Sequence, residues 1–439
     1  MITSPAFRGK RYMVLGLARS GLATVRALAA SGAVVTAWDS RAEARALVAD
    51  MAALADPVES DLAGFDAIIV SPGVPLNRHP IAERARRAGI PIIGDIELFA
   101  QARASLPPHR VVGITGTNGK STTTALIHHM IKAAGIPTTL GGNIGLPILG
   151  QDPLEANEKG EPVYVLELSS YQIDLTFSLD CDIAVLTNIT PDHLDRYDGF
   201  DAYAASKMRL FSLQSEGHGA IVAVDQELTS KMSDRAARSA YFTSGKVTRI
   251  NSAAVAKALG QENWPALQGP HNAQNAALAE AVARELGIGS KLRWEGLISY
   301  PGLPHRMERL RELAGVLYVN DSKATNTTST APALAAYPSV HWILGGQAKS
   351  DDLDACLPYL DHVRAAYTIG ESGSMFARLL EPMMTVEECG VLEEAVRRAH
   401  EKAVSGETVL LSPACASFDQ FQDFEARGEA FRHFVEALA

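Results

Sequence analysis

Apolar, β-rich runs alternate with Ala/Leu/Arg-rich stretches along the whole chain, the mark of a parallel α/β architecture. The pattern predicts strands over Arg11–Leu15, Ala33–Trp38 and Ala67–Val70, with a helix from the first glycine turn to Ala30. Ser105-Leu106-Pro107-Pro108 then reads as a linker, because consecutive prolines suit neither a helix nor a central strand. A second series follows, with strands over Arg110–Ile114, Val163–Leu166 and Ile183–Leu186 and helical stretches over Ala125–Ala134 and Tyr203–Phe211. Tyr300-Pro301-Gly302-Leu303-Pro304 marks another break. Beyond it, Leu317–Val319, His341–Leu344, Ala365–Ile369 and Thr408–Leu411 are expected strands of a third unit. The expectation is therefore three consecutive α/β domains, over residues 1–107, 108–300 and 301–439.

Composition narrows the function without choosing it. The 439 residues are 47% hydrophobic and 21% charged, ordinary for a globular protein. Forty Lys+Arg against fifty Asp+Glu leave a net charge of −10, which argues against coating nucleic acid or an anionic membrane. No run of 18 apolar residues and no signal-peptide pattern occurs, so a cytoplasmic protein is expected. Cys181, Cys356, Cys389 and Cys415 form no C-x-x-C pair and read as plain buried side chains.

In open parallel sheets, ligands gather beyond the carboxyl ends of the strands, so the polar clusters there carry the candidate chemistry. Strand Arg110–Ile114 runs into Thr115-Gly116-Thr117-Asn118-Gly119-Lys120-Ser121-Thr122 and then a helix. Glycines let backbone N–H groups turn toward a phosphate, Lys120 would reach its outer oxygens, and the Ser121 hydroxyl would bind Mg²⁺. Gly16-Leu17-Ala18-Arg19-Ser20-Gly21, with Asp39 closing the next strand, is nearly a dinucleotide fingerprint. Ala18 replaces its second glycine, and the residues leave NAD and another nucleotide equally open. Glu167, at a strand end, is placed to bind Mg²⁺. His193, in Thr187-Asn188-Ile189-Thr190-Pro191-Asp192-His193, fits a metal or substrate contact as well as a surface turn. Composition alone makes Lys207 a solvated surface lysine. Asn272 and Asn275 share a helix face, where they could hydrogen-bond a purine or merely cap the helix. Three further strand ends carry lysines and hydroxyls suited to a carboxylate: Asn320-Asp321-Ser322-Lys323, Gly345-Gly346-Gln347-Ala348-Lys349, and Ser412-Pro413-Ala414-Cys415-Ala416-Ser417.

Taken in order, Gly116–Thr122, Glu167-Leu-Ser-Ser-Tyr-Gln172, Asn188…Asp192-His193-Leu-Asp195, His271-Asn272…Asn275 and Pro304-His305-Arg306 make the chain resemble the Mur ligases of peptidoglycan synthesis over its full length. Asn320-Asp-Ser-Lys-Ala-Thr-Asn326 and Leu411-Ser-Pro-Ala-Cys-Ala-Ser417 resemble the members that add D-glutamate to UDP-N-acetylmuramoyl-L-alanine. The loop around Lys120 is shared more widely, including with folylpolyglutamate synthases. The resemblance implies a Rossmann-like N-terminal domain, a central P-loop-type ATPase domain with a mostly parallel sheet, and a Rossmann-like C-terminal domain. It also implies a monomer and an acyl phosphate made at the expense of ATP.

Residue by residue, the resemblance makes Lys120, His193 and Lys207 catalytic. Gly116, Thr117, Asn118, Gly119, Lys120, Ser121 and Thr122 would hold the ATP phosphates, and Asn272, Asn275, Arg306 and Asp321 its base and ribose. Ser121 and Glu167 would hold one Mg²⁺; His193 would hold a second, bridged by Lys207 if that lysine is carbamylated. Arg19, Ser20, Asp39 and Ser71 would bind UDP, with Asn143, Gln172 and His193 toward the muramoyl end, which decides against NAD. Thr325, Lys349, Ser417 and Phe424 would bind D-glutamate. Linkers near Pro107 and Pro301 are expected to act as hinges. The nearest alternative is another Mur-type or folylpolyglutamate-type amino-acid ligase; an NAD-dependent dehydrogenase would leave the Lys120 loop without a role.

Overall fold

A computed structural model describes residues 1–234, 242–243 and 246–439. The chain packs as two compact units, Met1–Leu259 with Gln274–Leu297, and Gly260–Ala273 with Ile298–Ala439.

The first unit contains two sheets. Strands β1 (Arg11–Leu15), β2 (Val34–Trp38), β3 (Ala53–Leu54), β4 (Ala67–Val70) and β5 (Ile92–Ile93) form a parallel sheet in the order β3-β2-β1-β4-β5. The topology reverses between β1 and β4, so their carboxyl ends open a crevice where a ligand can lie. Strands β6 (Arg110–Thr115), β7 (Thr138–Gly142), β8 (Val163–Glu167), β9 (Ile183–Leu186), β10 (Gly219–Ala223) and β11 (Lys246–Ile250) form a second parallel sheet, in the order β11-β10-β9-β6-β8-β7. One continuous apolar cluster runs through both sheets, from Val14, Val25 and Ile69 to Phe99, Tyr164, Leu166 and Leu186. That shared core is why the two sheets belong to one compact unit.

In the second unit, β12 (Glu308–Leu313), β13 (Val316–Asn320), β14 (Val340–Gly345), β15 (Val363–Ile369), β16 (Thr385–Gly390) and β17 (Thr408–Leu411) are ordered β12-β13-β17-β14-β15-β16. Only β12 runs antiparallel, paired to β13 through the tight turn at Ala314-Gly315. Its two Glu and two Arg residues give this edge strand the charges that discourage pairing with another chain. Apolar layers on both sheet faces, one around Trp342 and Leu410 and the other around Tyr318 and Tyr367, form its core.

Two expectations need correction. The helix after the phosphate loop starts at Lys120 rather than Ala125 and ends at Ala133. Thr122, Thr123 and Thr124 are weak helix formers, but all three are buried against the sheet, and packing overrides propensity. Cys181, Cys356 and Cys415 are buried, whereas Cys389 is half-buried because it lies on the edge strand β16; all four are free thiols. Among the described residues no helix is long and apolar enough to cross a membrane.

Candidate active site

The turn after β6 carries the densest chemistry of the first unit. Gly119 has φ +81° and stands as N-cap of the helix Lys120–Ala133. A Cβ there would meet Asn275 Oδ1 at 2.3 Å, so only glycine fits. The first-turn amides of this helix have no intrahelical acceptor, and its dipole adds partial positive charge at that end. Two ammonium groups hold the loop's carbonyls. Lys120 Nζ donates to Gly116 O at 3.0 Å and Thr117 O at 2.7 Å, and Lys207 Nζ donates to Gly116 O at 2.7 Å.

Lys207 is 1% exposed, in helix Gly199–Ser212, with its ammonium 4.5 Å from the Tyr203 ring centroid. The composition-based reading of a solvated surface lysine is therefore wrong; the helix turns this position into the core beneath the loop. Burial pushes its ammonium from 10.5 down to about 7, with Lys120 acting in the same direction. A lysine titrating so low spends a substantial fraction of time as a neutral amine at neutral pH, the form that reacts with CO₂.

Glu167, at the end of β8, is 1% exposed. Its Oε1 accepts from Asn143 Nδ2 at 2.9 Å, while Oε2 is buried and takes no hydrogen bond. A buried carboxylate oxygen left unpaired is costly unless a cation meets it. Together with the Ser121 hydroxyl, it supplies the hard oxygen donors that Mg²⁺ prefers, so these residues fit the ion. Among the described residues, no group of three or more His, Cys, Asp or Glu side chains gathers as a ready-made metal site. His193 is exposed, with φ +53°, its Nε2 3.5 Å from Asp192 Oδ2 and its ring 5.2 Å from that of Tyr171. The Arg196 guanidinium also lies over the Tyr171 ring, 4.3 Å from its centroid, and donates to Val74 O at 3.0 Å.

The turn after β1 is built around an acid. The Leu17 amide donates to Asp39 Oδ2 at 2.8 Å, and the Arg41 guanidinium pairs with the same carboxylate at 3.1 Å. Burial alone would raise the Asp39 carboxyl, but hydrogen bonds from Arg41 and Leu17 bring it down to about 2. Ser71 Oγ donates to Gly16 O at 2.9 Å, locking the turn onto β4. Arg19 is exposed and Ser20 half-buried at the start of helix Arg19–Ala30. Ser20, Ser71 and Asp95 line a small cavity at the β1/β4 reversal. Gln172 is buried and completes a capping box with Ser169, so it has a local structural task.

In the second unit, Asp321 follows β13 and is buried. Ser412 Oγ donates to its Oδ2 at 2.8 Å and the Met307 amide to its Oδ1 at 3.1 Å. Burial nevertheless pushes this carboxyl up to about 7, against the pull of Ser412 and Arg306. Half-buried His271, whose imidazole loses solvent and faces the charge of Arg306, is pushed down to about 4. Asn272 is buried and donates to Gln268 O at 3.1 Å; Asn275, in the first unit, accepts from Thr123 Oγ1 at 3.1 Å. Thr325 is half-buried, Lys349 exposed and Ser417 buried, each in a loop after a strand of the third sheet. Phe424 opens helix Phe424–Glu436, and Lys323 Nζ lies 3.7 Å from its ring centroid.

Sequence reasoning passed over two residues here. Arg427 is 1% exposed and donates to the carbonyls of Ser322 and Cys415 at 2.9 and 3.0 Å, tying two loops together without a carboxylate partner. An arginine in a helix reads as surface, so no pattern marked it. Asn188, which the sequence reading named within a motif but gave no task, clasps the phosphate loop.

Comparison with known proteins bears on all three sheets. Residues 10–94 match the model for the Mur ligase MurD-like N-terminal domain, 114–283 the Mur ligase middle domain, and 305–415 the Mur ligase glutamate ligase domain. The chain is 63% identical over 438 residues to a UDP-N-acetylmuramoylalanine–D-glutamate ligase of Novosphingobium aromaticivorans, covering 100% of this chain and 97% of that protein. It is 57% identical to the ligase of the same name from Zymomonas mobilis subsp. mobilis, covering 100% of both. In fold it is similar to the UDP-N-acetylmuramate–alanine ligase MurC of Thermotoga maritima, with a TM-score of 0.58 at 16% identity over 98% of this chain and 99% of that one.

Proposed function

The chain belongs to the Mur ligase family, and from that premise we propose that it joins D-glutamate to UDP-N-acetylmuramoyl-L-alanine at the expense of ATP, in the synthesis of peptidoglycan precursors. The observation that carries the chemistry is a loop gripped by two lysines at one strand end, with the buried, unpaired Glu167 carboxylate oxygen at the neighbouring one.

A carboxylate is a poor electrophile. The substrate carboxylate oxygen attacks the γ-phosphorus, the bond to the bridging oxygen breaks, and ADP leaves an acyl phosphate behind. The D-glutamate amine then attacks the acyl carbon, loses a proton, and the tetrahedral intermediate collapses to expel phosphate. Lys120 leaves the Gly116 and Thr117 carbonyls for the γ-phosphoryl oxygens, where its charge counts most as negative charge spreads. Gly116, Thr117, Asn118, Gly119, Ser121 and Thr122 cradle the phosphates. Ser121 and Glu167 would hold Mg²⁺, which when bound offsets the repulsion between the two anions. His193 and a carbamylated Lys207 would hold a second ion; labelled bicarbonate should then give a carbamate carbon signal that Lys207→Ala abolishes.

Arg19, Ser20, Asp39 and Ser71 bind the UDP part, with Asn143, Gln172 and His193 toward the muramoyl end. Asn272, Asn275, Arg306 and Asp321 bind the ATP base and ribose. Thr325, Lys349, Ser417 and Phe424 bind D-glutamate, Lys349 pairing with a carboxylate. The chain works as a cytoplasmic monomer of three domains, 1–107, 108–300 and 301–439. Its linkers near Pro107 and Pro301 act as hinges, so scattering profiles differ with and without both nucleotides.

The test is phosphate release with ATP, Mg²⁺ and UDP-N-acetylmuramoyl-L-alanine across D-glutamate, L-glutamate, L-alanine and diamino acids. Release only with D-glutamate, and a product one glutamate heavier, is expected. Release with another amino acid would keep the chemistry and move the substrate; none at all would overturn the reading.

A further inference from the structure

Asn118 is the middle residue of the phosphate loop, and its peptide groups are held by side chains from the neighbouring strand end, that of β9. Its amide N–H donates to Asn188 Oδ1 at 2.8 Å, and its carbonyl accepts from Asn188 Nδ2 at 3.0 Å and Thr187 Oγ1 at 2.7 Å. Asn188 Nδ2 also donates to Gln274 Oε1 at 2.9 Å, and Gln274 Nε2 donates to Asp225 Oδ2 at 3.0 Å. Asp225 is itself fixed by the Ser252 amide at 2.9 Å and by the Ser252 hydroxyl.

We infer that Asn188 is a positioning residue for the phosphate loop, kept in one amide orientation by a hydrogen-bond relay that runs through Gln274 to Asp225. The inference rests on the reading of this loop as the ATP site. The direction of the relay follows from donor and acceptor chemistry. An ionised carboxylate only accepts, so Gln274 must turn its NH₂ toward Asp225 and its oxygen toward Asn188. Asn188 must then present NH₂ to Gln274, and its single oxygen is left for the Asn118 N–H. That is the one orientation in which both peptide groups of Asn118 are also satisfied. The carboxylate thus selects the amide face that grips the loop, and a gripped Asn118 sets where Gly119 turns and where the helix amides point. Asn188 is buried, so a wrong orientation would leave polar groups facing like partners with no water to relieve them.

The deciding variant is Asn188→Asp, which keeps size but removes both donors. It should raise KM for ATP by about tenfold or more, the cost of a lost buried hydrogen bond and a new repulsion, with KM for D-glutamate unchanged. Adding Asp225→Asn lets Gln274 turn round and offer its NH₂ to the new carboxylate. The double variant should therefore bind ATP more tightly than Asn188→Asp alone, a rescue that general damage to the fold would not show. Hydrogen exchange at residues 117–119 reads the same relay without nucleotide: faster in Asn188→Asp and slowed again in the double variant. Gln274→Leu, which only frees the amide to flip, should show a smaller rise in both readouts and stands in if Asn188→Asp does not fold. Unchanged loop exchange in Asn188→Asp, or in Gln274→Leu if that variant must stand in, or equal losses for all substrates without rescue, would overturn the relay. Failure of the unaltered protein to bind ATP, with the exchange pattern intact, would instead overturn the ATP reading and leave the relay standing.

Discussion

The turn after β1 and the turn after β6 both leave the carboxyl end of a central strand, pass through a glycine at positive φ and open a helix, yet opposite charges fill them. In the first, Asp39 accepts the Leu17 amide and pairs with Arg41, so an acid stands at the loop's centre and one of the loop's amides is spent. In the second, Lys120 and Lys207 take the loop carbonyls, and Lys120 keeps a positive charge at the centre, beside the helix N-terminus, whether or not Lys207 is carbamylated. A negative centre suits a ligand that offers donors, such as a ribose hydroxyl or a ring N–H. A positive one suits a polyphosphate. On the proposed function, side chains that the glycine pattern does not contain give two similar backbones different parts of two nucleotides.

Swapping the sign of each centre should have the largest effect. Lys120→Ala removes the charge meant for the transferring phosphoryl group and should lower kcat by about a thousandfold, since such groups act mainly in the transition state. Asp39→Asn should leave kcat nearly intact and raise KM for the UDP substrate by about tenfold, as loss of charge-assisted hydrogen bonds does. Steady-state kinetics on both variants checks the split. If Asp39→Asn lowered kcat and Lys120→Ala changed only KM, the assignment of the two turns would be reversed.

The glycines come next. Gly119→Ala puts a Cβ 2.3 Å from Asn275 Oδ1, at a φ of +81° that side chains resist. Gly16→Ala, at φ +91°, meets Ser71 Cβ and Oγ at a less severe 2.9 Å, with Val74 at 3.7 Å. Both should destabilise, by about 1–3 kcal/mol for Gly119→Ala and nearer the lower end for Gly16→Ala. Thermal unfolding measures the order. Equal losses would mean that Asn275 gives way as easily as Ser71, and that the second turn is no stiffer than the first.

Much of this plan was legible in the sequence and some of it was not, for a physical reason. Strands such as Ala67–Val70, Ile183–Leu186 and Thr408–Leu411 appear where continuous apolar runs lie, because burial on both faces leaves no polar position to blur the ends. The edge strand Glu308–Leu313 carries no such run and was invisible. Backbone-binding loops were legible through their glycines, since a special φ restricts residue choice. Side chains that act from within were not. Lys207 and Arg427 are charged residues on helices that sequence assigns to the surface, and only tertiary packing turns them inward. Asn188 acts through orientation, and an amide's orientation leaves no trace in composition. The family resemblance gave Lys207 a role that composition had missed, though not its burial, and it was silent on Arg427.

The smallest effect should separate the two turns by acid. The Asp39 carboxyl is held at about 2, well below its ordinary 3.8, so its contribution to the first turn is complete above that ordinary value. It is lost as pH falls from about 4 toward 2, when the folded protein must take up a proton that the unfolded chain already holds. Protonation leaves Leu17 and Arg41 sharing a weaker acceptor, and the turn after β1 should loosen. No carboxylate bonds the backbone of the loop after β6 directly; Asn188 does so with a neutral amide, so that loop should lose less protection than the turn after β1 over the same window. Hydrogen exchange at Leu17 and Arg41, followed against that at Asn118 from pH 5 to pH 2.5 and corrected for intrinsic rates, reads the two turns side by side. Protection at Leu17 and Arg41 should decline first, and Asp39→Asn should abolish the pH dependence there while leaving Asn118 as it was. Parallel loss at both turns would mean that acid opens the shared core of the first unit before it reaches either loop, and the charge at the centre of each turn would then have no separate part in holding it.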